Sequence, residues 1–402
     1  MYLTKEEEAI LAGEQGEAKR LALNVIIKVG EALGAEKLIP IQHAHISGIS
    51  YNNIGEPGLN FIQNLYELEA RFNVYTTINP IGVDLDEPRG FPGATTEFYK
   101  KQAEVIRYLV RMGAEPTMTC TPYYIRQPNP GEHLAWGESS AVAYSNSILG
   151  AWTNREGGPL ALMAAILGKT YYAGVHVPEN REPRLLITVD HPNLDSARSS
   201  IIGMLLGELV SLEQKPPYLE FTSSTPDHIG FKEMCAAAGA SGSLELCIIP
   251  GTPAAREAKT DFHQLPRESI TRDDIESKLE EFAPTTMPDM VFIGCPHAGL
   301  QEIRLIARHL KRINKPVRNH FWVSVSRHIY KQVTDQGLDA LLQMYGIRLV
   351  RDTCLVVSPG WQKTGYTIAT NSFKTLFYMK RIHSVETRLA PIETLIQLST
   401  QT

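Results

Sequence analysis

Short apolar runs take turns with longer amphipathic stretches along this chain. Residues 37–42, 73–78 and 115–120 read as strands, and the helical spacing of apolar positions predicts helices over 57–70 and 95–112. The second half repeats the rhythm. Strands are predicted at 244–249, 289–293, 320–325 and 348–357, with helices at 271–282 and 300–310. Strands alternating with helices predict an α/β fold, with parallel sheets covered by helices. Ahead of them, Thr4 stands three positions before Glu7 in a capping-box pattern and opens a helical lead-in that runs on to residue 33. Proline-rich interruptions near Arg184 and at 285–288 divide the chain into expected α/β domains at 1–184, 185–287 and 288–402.

A chain of 402 residues is longer than one core usually supports, so several domains with a cleft between them are expected. Hydrophobic residues at 43% supply ample material to bury. A formal charge of −5, without a Lys/Arg run, argues against a nucleic-acid partner. The longest apolar stretch, 161–167, is too short to cross a bilayer, and the N-terminus has three consecutive glutamates where a leader would be basic and then apolar. A cytoplasmic protein with no membrane partner is expected.

Five cysteines without regular spacing point to a reducing compartment and away from a disulfide framework. Cys235 in a helical stretch and Cys247 in an apolar run read as small buried hydrophobes. Cys120, Cys295 and Cys354 differ from these. Cys120 ends one predicted strand, Cys295 follows another, and Cys354 lies within a third. Their neighbours are Thr119 and Thr121, Pro296 and His297, and Asp352 and Thr353. Any one of them alone reads as a core residue. Together, in polar company near strand ends, they suit thiolates turned toward a ligand. Three such thiolates can occupy three corners of an iron-sulfur cubane and leave the fourth iron open. An open iron is a Lewis acid that eases loss of hydroxide from a hydroxy acid. A base for the adjacent C–H and a cation for the substrate's anionic groups are then also required.

Other segments supply candidates. Residues 43–58, rich in Gly, Ser and Asn, read as a loop after the first strand, with backbone N–H groups exposed to oxyanions and hydrogen-bonding roles for His43 and His45. Ser139 or Ser140 is placed to cap the helix that follows Gly137. Arg155 sits beside a glycine turn and fits a carboxylate clamp or a solvated loop. Arg327, His328 and Lys374 are further cationic candidates, and Lys374 stands among apolar residues that imply a buried partner.

At these residues the sequence resembles the aconitase X family over almost its whole length. The resemblance rests on the loop 43–58, Met118-Thr119-Cys120-Thr121-Pro122-Tyr123, the run from Gly131 to Ser140, and Thr153-Asn154-Arg155-Glu156-Gly157-Gly158. Gly294-Cys295-Pro296-His297, Asp352-Thr353-Cys354 and Asn371-Ser372-Phe373-Lys374 complete it. Ordinary aconitases carry two cluster cysteines as Cys-x-x-Cys, whereas Cys295 and Cys354 lie far apart in sequence, as in aconitase X. The resemblance implies an aconitase-like core of three α/β domains around a 4Fe-4S cluster, recovered as 3Fe-4S or lost in air. It implies Cys120, Cys295 and Cys354 as cluster ligands, the first in the N-terminal domain and the others in the C-terminal one. Gly48, Ile49, Ser50, Asn79, Pro80, Glu138, Ser139 and Lys374 are the implied substrate contacts. The catalytic serine base is implied on a swivel domain, for which a chain ending at Thr402 leaves no room, so a separate small subunit is the expected partner. The implied reaction is dehydration of (R)-5-phosphomevalonate to trans-anhydromevalonate 5-phosphate in the archaeal mevalonate pathway.

Three rivals remain at this stage. The same scaffold suits hydroxyproline or another hydroxy acid. Cys295 and His297 suit a thiol–imidazole dyad. A scaffold or binding subunit with all cysteines in the core requires no chemistry.

Overall fold

The residues His43–Ile46, expected in a loop, form the central strand of a parallel sheet, flanked by Tyr75–Ile78 and Leu134–Trp136. All four are buried, and both histidines turn to the Thr77 hydroxyl at 2.8 Å. Two imidazoles in a four-residue run mask the hydrophobic signal of a strand, which explains the misreading. In this computed structural model residues 1–87, 90–210 and 216–401 are described.

Two further sheets are wholly parallel. Pro217–Phe221, Leu185–Val189 and Arg267–Ile270 make one, in that order. The other has five strands, ordered Ile347–Arg351, His320–Val325, Met290–Ile293, Ile368–Thr370 and Thr387–Leu389. Helices cover them, as a parallel sheet buried on both faces requires. Thr96–Met112 and Leu300–Ile313 confirm two predicted helices, each with a left-handed residue at its C-cap, Gly113 and Asn314.

Three expected strands end differently. Residues 115–120 run beside Tyr75–Ile78 but make only one bridge, because Met118 adopts φ 37° and turns the chain out of the ladder. Residues 244–249 pair with the second sheet only at Ile248, opposite Tyr218, before Pro250 and Gly251 end the run. The predicted strand 348–357 stops at Arg351, since Asp352 has φ 63°, and Cys354, itself extended, leads into the short 3-10 helix Leu355–Val357. Two of these departures leave a cysteine in irregular backbone, Cys120 beside the strand Tyr75–Ile78 and Cys354 just past Ile347–Arg351.

The carboxyl ends of the first and third sheets are joined directly. The Ile81 N–H donates to Asp352 O at 2.8 Å, the Ser50 hydroxyl to Val357 O at 2.7 Å, and the Ser358 hydroxyl to Gly82 O at 2.8 Å. The helices Ser196–Val210 and His228–Ser241 pack against the same region, through Phe373 N–H to Ser200 Oγ at 2.6 Å and through Lys232. No described helix is long and apolar enough to cross a membrane.

Candidate active site

Every residue of the site except Cys120 follows a strand. Ser47 to Ser50 follow His43–Ile46, Asn79 and Pro80 follow Tyr75–Ile78, and Glu138 follows Leu134–Trp136. Cys295 follows Met290–Ile293, Cys354 follows Ile347–Arg351, and Lys374 follows Ile368–Thr370. Parallel strands present their carboxyl ends to a common crevice, so the topology assembles the site from distant segments.

Cys120, Cys295 and Cys354 are 4%, 3% and 5% exposed, and all are free thiols. Cys354 and Cys295 hydrogen-bond each other, and each interacts electrostatically with Cys120. The bond from Cys354 lowers the Cys295 pKa; donating that bond, together with burial, raises that of Cys354. Burial and then Glu138 raise Cys120, opposed by Lys374 and by the His297 N–H. Gly294 makes the approach possible: its φ is 115°, and a Cβ there would lie 2.4 Å from Ser324 O.

His297 joins the three cysteine-bearing segments. Its N–H donates to Cys120 Sγ at 3.1 Å, and its Nε2 lies 3.1 Å from Thr353 O, beside Cys354. A carbonyl only accepts, so Nε2 carries the proton and Nδ1 accepts from the Thr119 hydroxyl at 3.4 Å. Burial lowers the imidazole pKa to about 4, so the ring is neutral. Both ring nitrogens are committed away from Cys295, so the dyad reading fails on geometry.

Against the thiols lies an ion pair. The Lys374 ammonium donates to Glu138 Oε1 and, at 3.3 Å, to the Ser140 hydroxyl; the Asn79 amide donates to Glu138 Oε2 at 3.2 Å. Burial pushes the Glu138 carboxyl up, but Lys374, Asn79 and Ser140 together hold it at about 2. Burial works against the Lys374 charge, but Glu138 and the two thiols Cys295 and Cys120 raise its pKa. The result is a buried cation beside two of the three sulfurs, able to balance thiolate charge. Glu138, not Ser139 or Ser140, is the helix cap, accepting the Ser140 N–H at 3.4 Å. Ser139, Ile49, Ser50, Asn79 and Pro80 are buried, Asn79 in contact with Glu138, while Gly48, with φ 70°, is partly exposed.

Arg155 is not in the site: its guanidinium donates to Gly239 O at 3.2 Å. Arg327 is held by Asp352, with Nε 2.8 Å from Oδ2. Among the described residues no group of three or more His, Cys, Asp or Glu side chains is placed to hold a single metal ion. The donor set suits a polynuclear core instead: three thiols from three segments, a balancing ammonium, and buried Thr353 Oγ1 and Asn371 Oδ1 left without hydrogen-bond partners.

Comparison with known proteins decides the family. Models described as the aconitase X first, second and third domains match residues 1–179, 183–280 and 288–401. The chain belongs to the aconitase X family. The phosphomevalonate dehydratase large subunit of Aeropyrum pernix is 45% identical, over 99% of this chain and 100% of its own. A crystal structure of Thermococcus kodakaraensis aconitase X in holo-form superposes with a TM-score of 0.90 at 40% identity, over 100% of both chains. The cis-3-hydroxy-L-proline dehydratase of Pseudomonas aeruginosa is 35% identical over 96% of this chain, which spans 67% of its length.

Within this aconitase X chain, Cys120, Glu138 and Asn79 lie in the segment matched by the first-domain model, and Cys295, Cys354 and Lys374 in that matched by the third. Sequence reasoning did not single out Lys232, Glu302 or Ser372, all of which hold the Cys295 turn. A lysine in the run Phe231-Lys232-Glu233-Met234-Cys235 was a readable sign of a buried charge.

Proposed function

We propose that the chain is the large subunit of a phosphomevalonate dehydratase, a hydro-lyase converting (R)-5-phosphomevalonate to trans-anhydromevalonate 5-phosphate in the archaeal mevalonate pathway. Cys120, Cys295 and Cys354 hold a 4Fe-4S cluster, and a small swivel subunit supplies the serine base. The full-length similarity to subunits of that name supports the substrate and the partner. The observation that carries the chemistry is the buried Lys374–Glu138 pair beside Cys120 and Cys295, with buried Cys354 interacting with both of those thiols. We take the domains as 1–184, 185–287 and 288–402, and the location as the cytoplasm, in keeping with five free cysteines.

In the reaction the carbon next to the carboxylate loses a proton, the carbon beyond it loses hydroxide, a C=C bond forms between them, and water departs. When bound, the cluster supplies the Lewis acidity that eases departure of hydroxide. The protein's own residues bind and orient. Lys374 offers positive charge to an anionic substrate while Glu138 keeps the ammonium in place. Asn79 and Ser139 offer polar groups, and Gly48, Ile49 and Ser50 offer the turn after the central strand. Burial of this wall excludes water and strengthens each contact.

Co-purification with the small subunit, followed by dehydration assays on 5-phosphomevalonate and on cis-3-hydroxy-L-proline, tests the reading. Turnover of the phosphorylated acid alone is expected. Turnover of the hydroxyproline alone would replace the substrate while keeping the chemistry.

A further inference from the structure

Lys232 is 1% exposed and lies in the helix His228–Ser241, outside the wall that meets substrate. A buried ammonium has three N–H donors to satisfy. Lys232 directs them to Glu302 Oε2 at 2.5 Å, His297 O at 3.2 Å and Pro296 O at 3.4 Å, with Glu233 Oε1 at 3.6 Å as a second counter-charge. Two of its three acceptors are thus carbonyls of the turn that begins at Cys295.

The rest of that turn is pinned as well. The Ser372 hydroxyl donates to Cys295 O at 2.5 Å, the His297 N–H reaches Cys120 Sγ, and the Ala298 N–H donates to Ser324 O at 2.9 Å. The Gly299 N–H donates to Glu302 Oε2 at 2.8 Å, the same oxygen that receives Lys232. One carboxylate oxygen therefore couples the ammonium to the far end of the turn. Lys232 lies in the segment matched by the second-domain model, and the turn in that matched by the third. The cation belongs to one domain and the ligand loop to another.

We propose that Lys232 is a positioning residue that presets the Cys295 turn, so that the thiol is already in its ligating place before iron and sulfide arrive. The role rests on Cys295 being a cluster ligand. It differs from a general packing role because its effect is confined to the amides of one turn and to the thiols that the turn carries or meets, leaving Cys235 and Cys247 untouched.

The test uses the full chain in two forms, native and Lys232→Met/Glu302→Gln. The double variant removes two buried charges together and keeps an acceptor for the Gly299 N–H. With iron removed, iodoacetamide labelling of Cys295 is expected to accelerate by about tenfold or more in the variant, because the turn opens more often. Labelling of Cys235 and Cys247 is expected to stay unchanged, and iron uptake at limiting iron to fall. Glu302→Gln alone, which keeps the ammonium, is expected to restore native Cys295 labelling. Native labelling and native iron uptake in the folded double variant would overturn the role of Lys232. Should the double variant not fold, hydrogen exchange on the iron-free native chain decides: amides 297–299 are expected to exchange as slowly as those of Met290–Ile293, and rapid exchange would overturn the proposal. Absence of iron uptake by the native chain would instead remove the cluster reading itself.

Discussion

The His297 N–H donates to Cys120 Sγ across 3.1 Å, although 177 positions separate the two residues in sequence. An N–H directed at sulfur favours the thiolate, and this one comes from the turn that carries a second thiol. The imidazole of the same residue reaches the carbonyl beside the third. One residue therefore fixes the spacing of all three cysteine segments.

His297→Leu keeps the backbone N–H and removes the two ring bonds to Thr353 and Thr119. Leaving those buried partners unpaired is expected to cost about 2–4 kcal/mol of stability, measured by chemical denaturation of the iron-free chain. Iron uptake should weaken in parallel. A catalytic dyad with Cys295 would instead predict normal iron content with lost activity.

Lys374→Met leaves the Glu138 carboxylate buried without its ammonium, and a stability loss of about 3–5 kcal/mol is expected. Adding Glu138→Gln neutralises the pair and should recover most of that loss. The double variant is still expected to lose about 10²-fold to 10³-fold in kcat/KM for dehydration, since it lacks the cation that meets the anionic substrate. Denaturation and steady-state kinetics on both variants separate the structural effect from the chemical one.

Glu156 gives a pH signature away from the thiols. Burial raises its carboxyl from 4.5 to about 7, against hydrogen bonds from the Tyr171 and Thr170 hydroxyls and with Glu245 adding to the rise. The folded chain thus holds a proton that the unfolded chain releases near 4.5. Its stabilising contribution is complete below that value and is lost as pH rises through about 7, an effect of about 3 kcal/mol. Glu156→Gln should remove this slope and stabilise the chain at pH 8, as denaturation at pH 5 and pH 8 would register.

Much of the architecture was legible because apolar periodicity is strong in Thr96–Met112, Met290–Ile293 and His320–Val325. Polar neighbours in sequence set Cys120, Cys295 and Cys354 apart from Cys235 and Cys247, although Cys295 and Cys354 pack against apolar side chains in the fold as Cys235 and Cys247 do. His43–Ile46 was not legible, since two histidines bonded to Thr77 resemble loop polarity. Nor was the cap at Glu138, a choice made by its distant partner Lys374. The buried Lys232 contacts likewise arise only when separate segments meet, which no local pattern encodes.

The central claim is that three thiols share one inorganic core. Its most direct test is the iron and acid-labile sulfide content per chain after anaerobic reconstitution, for the native protein and for single Cys→Ser variants. Native protein and Cys235→Ser are expected to load fully and take on the cluster's brown colour, whereas Cys120→Ser, Cys295→Ser and Cys354→Ser should each load poorly and stay pale. Equal loading in all five, or none in the native chain, would contradict the account.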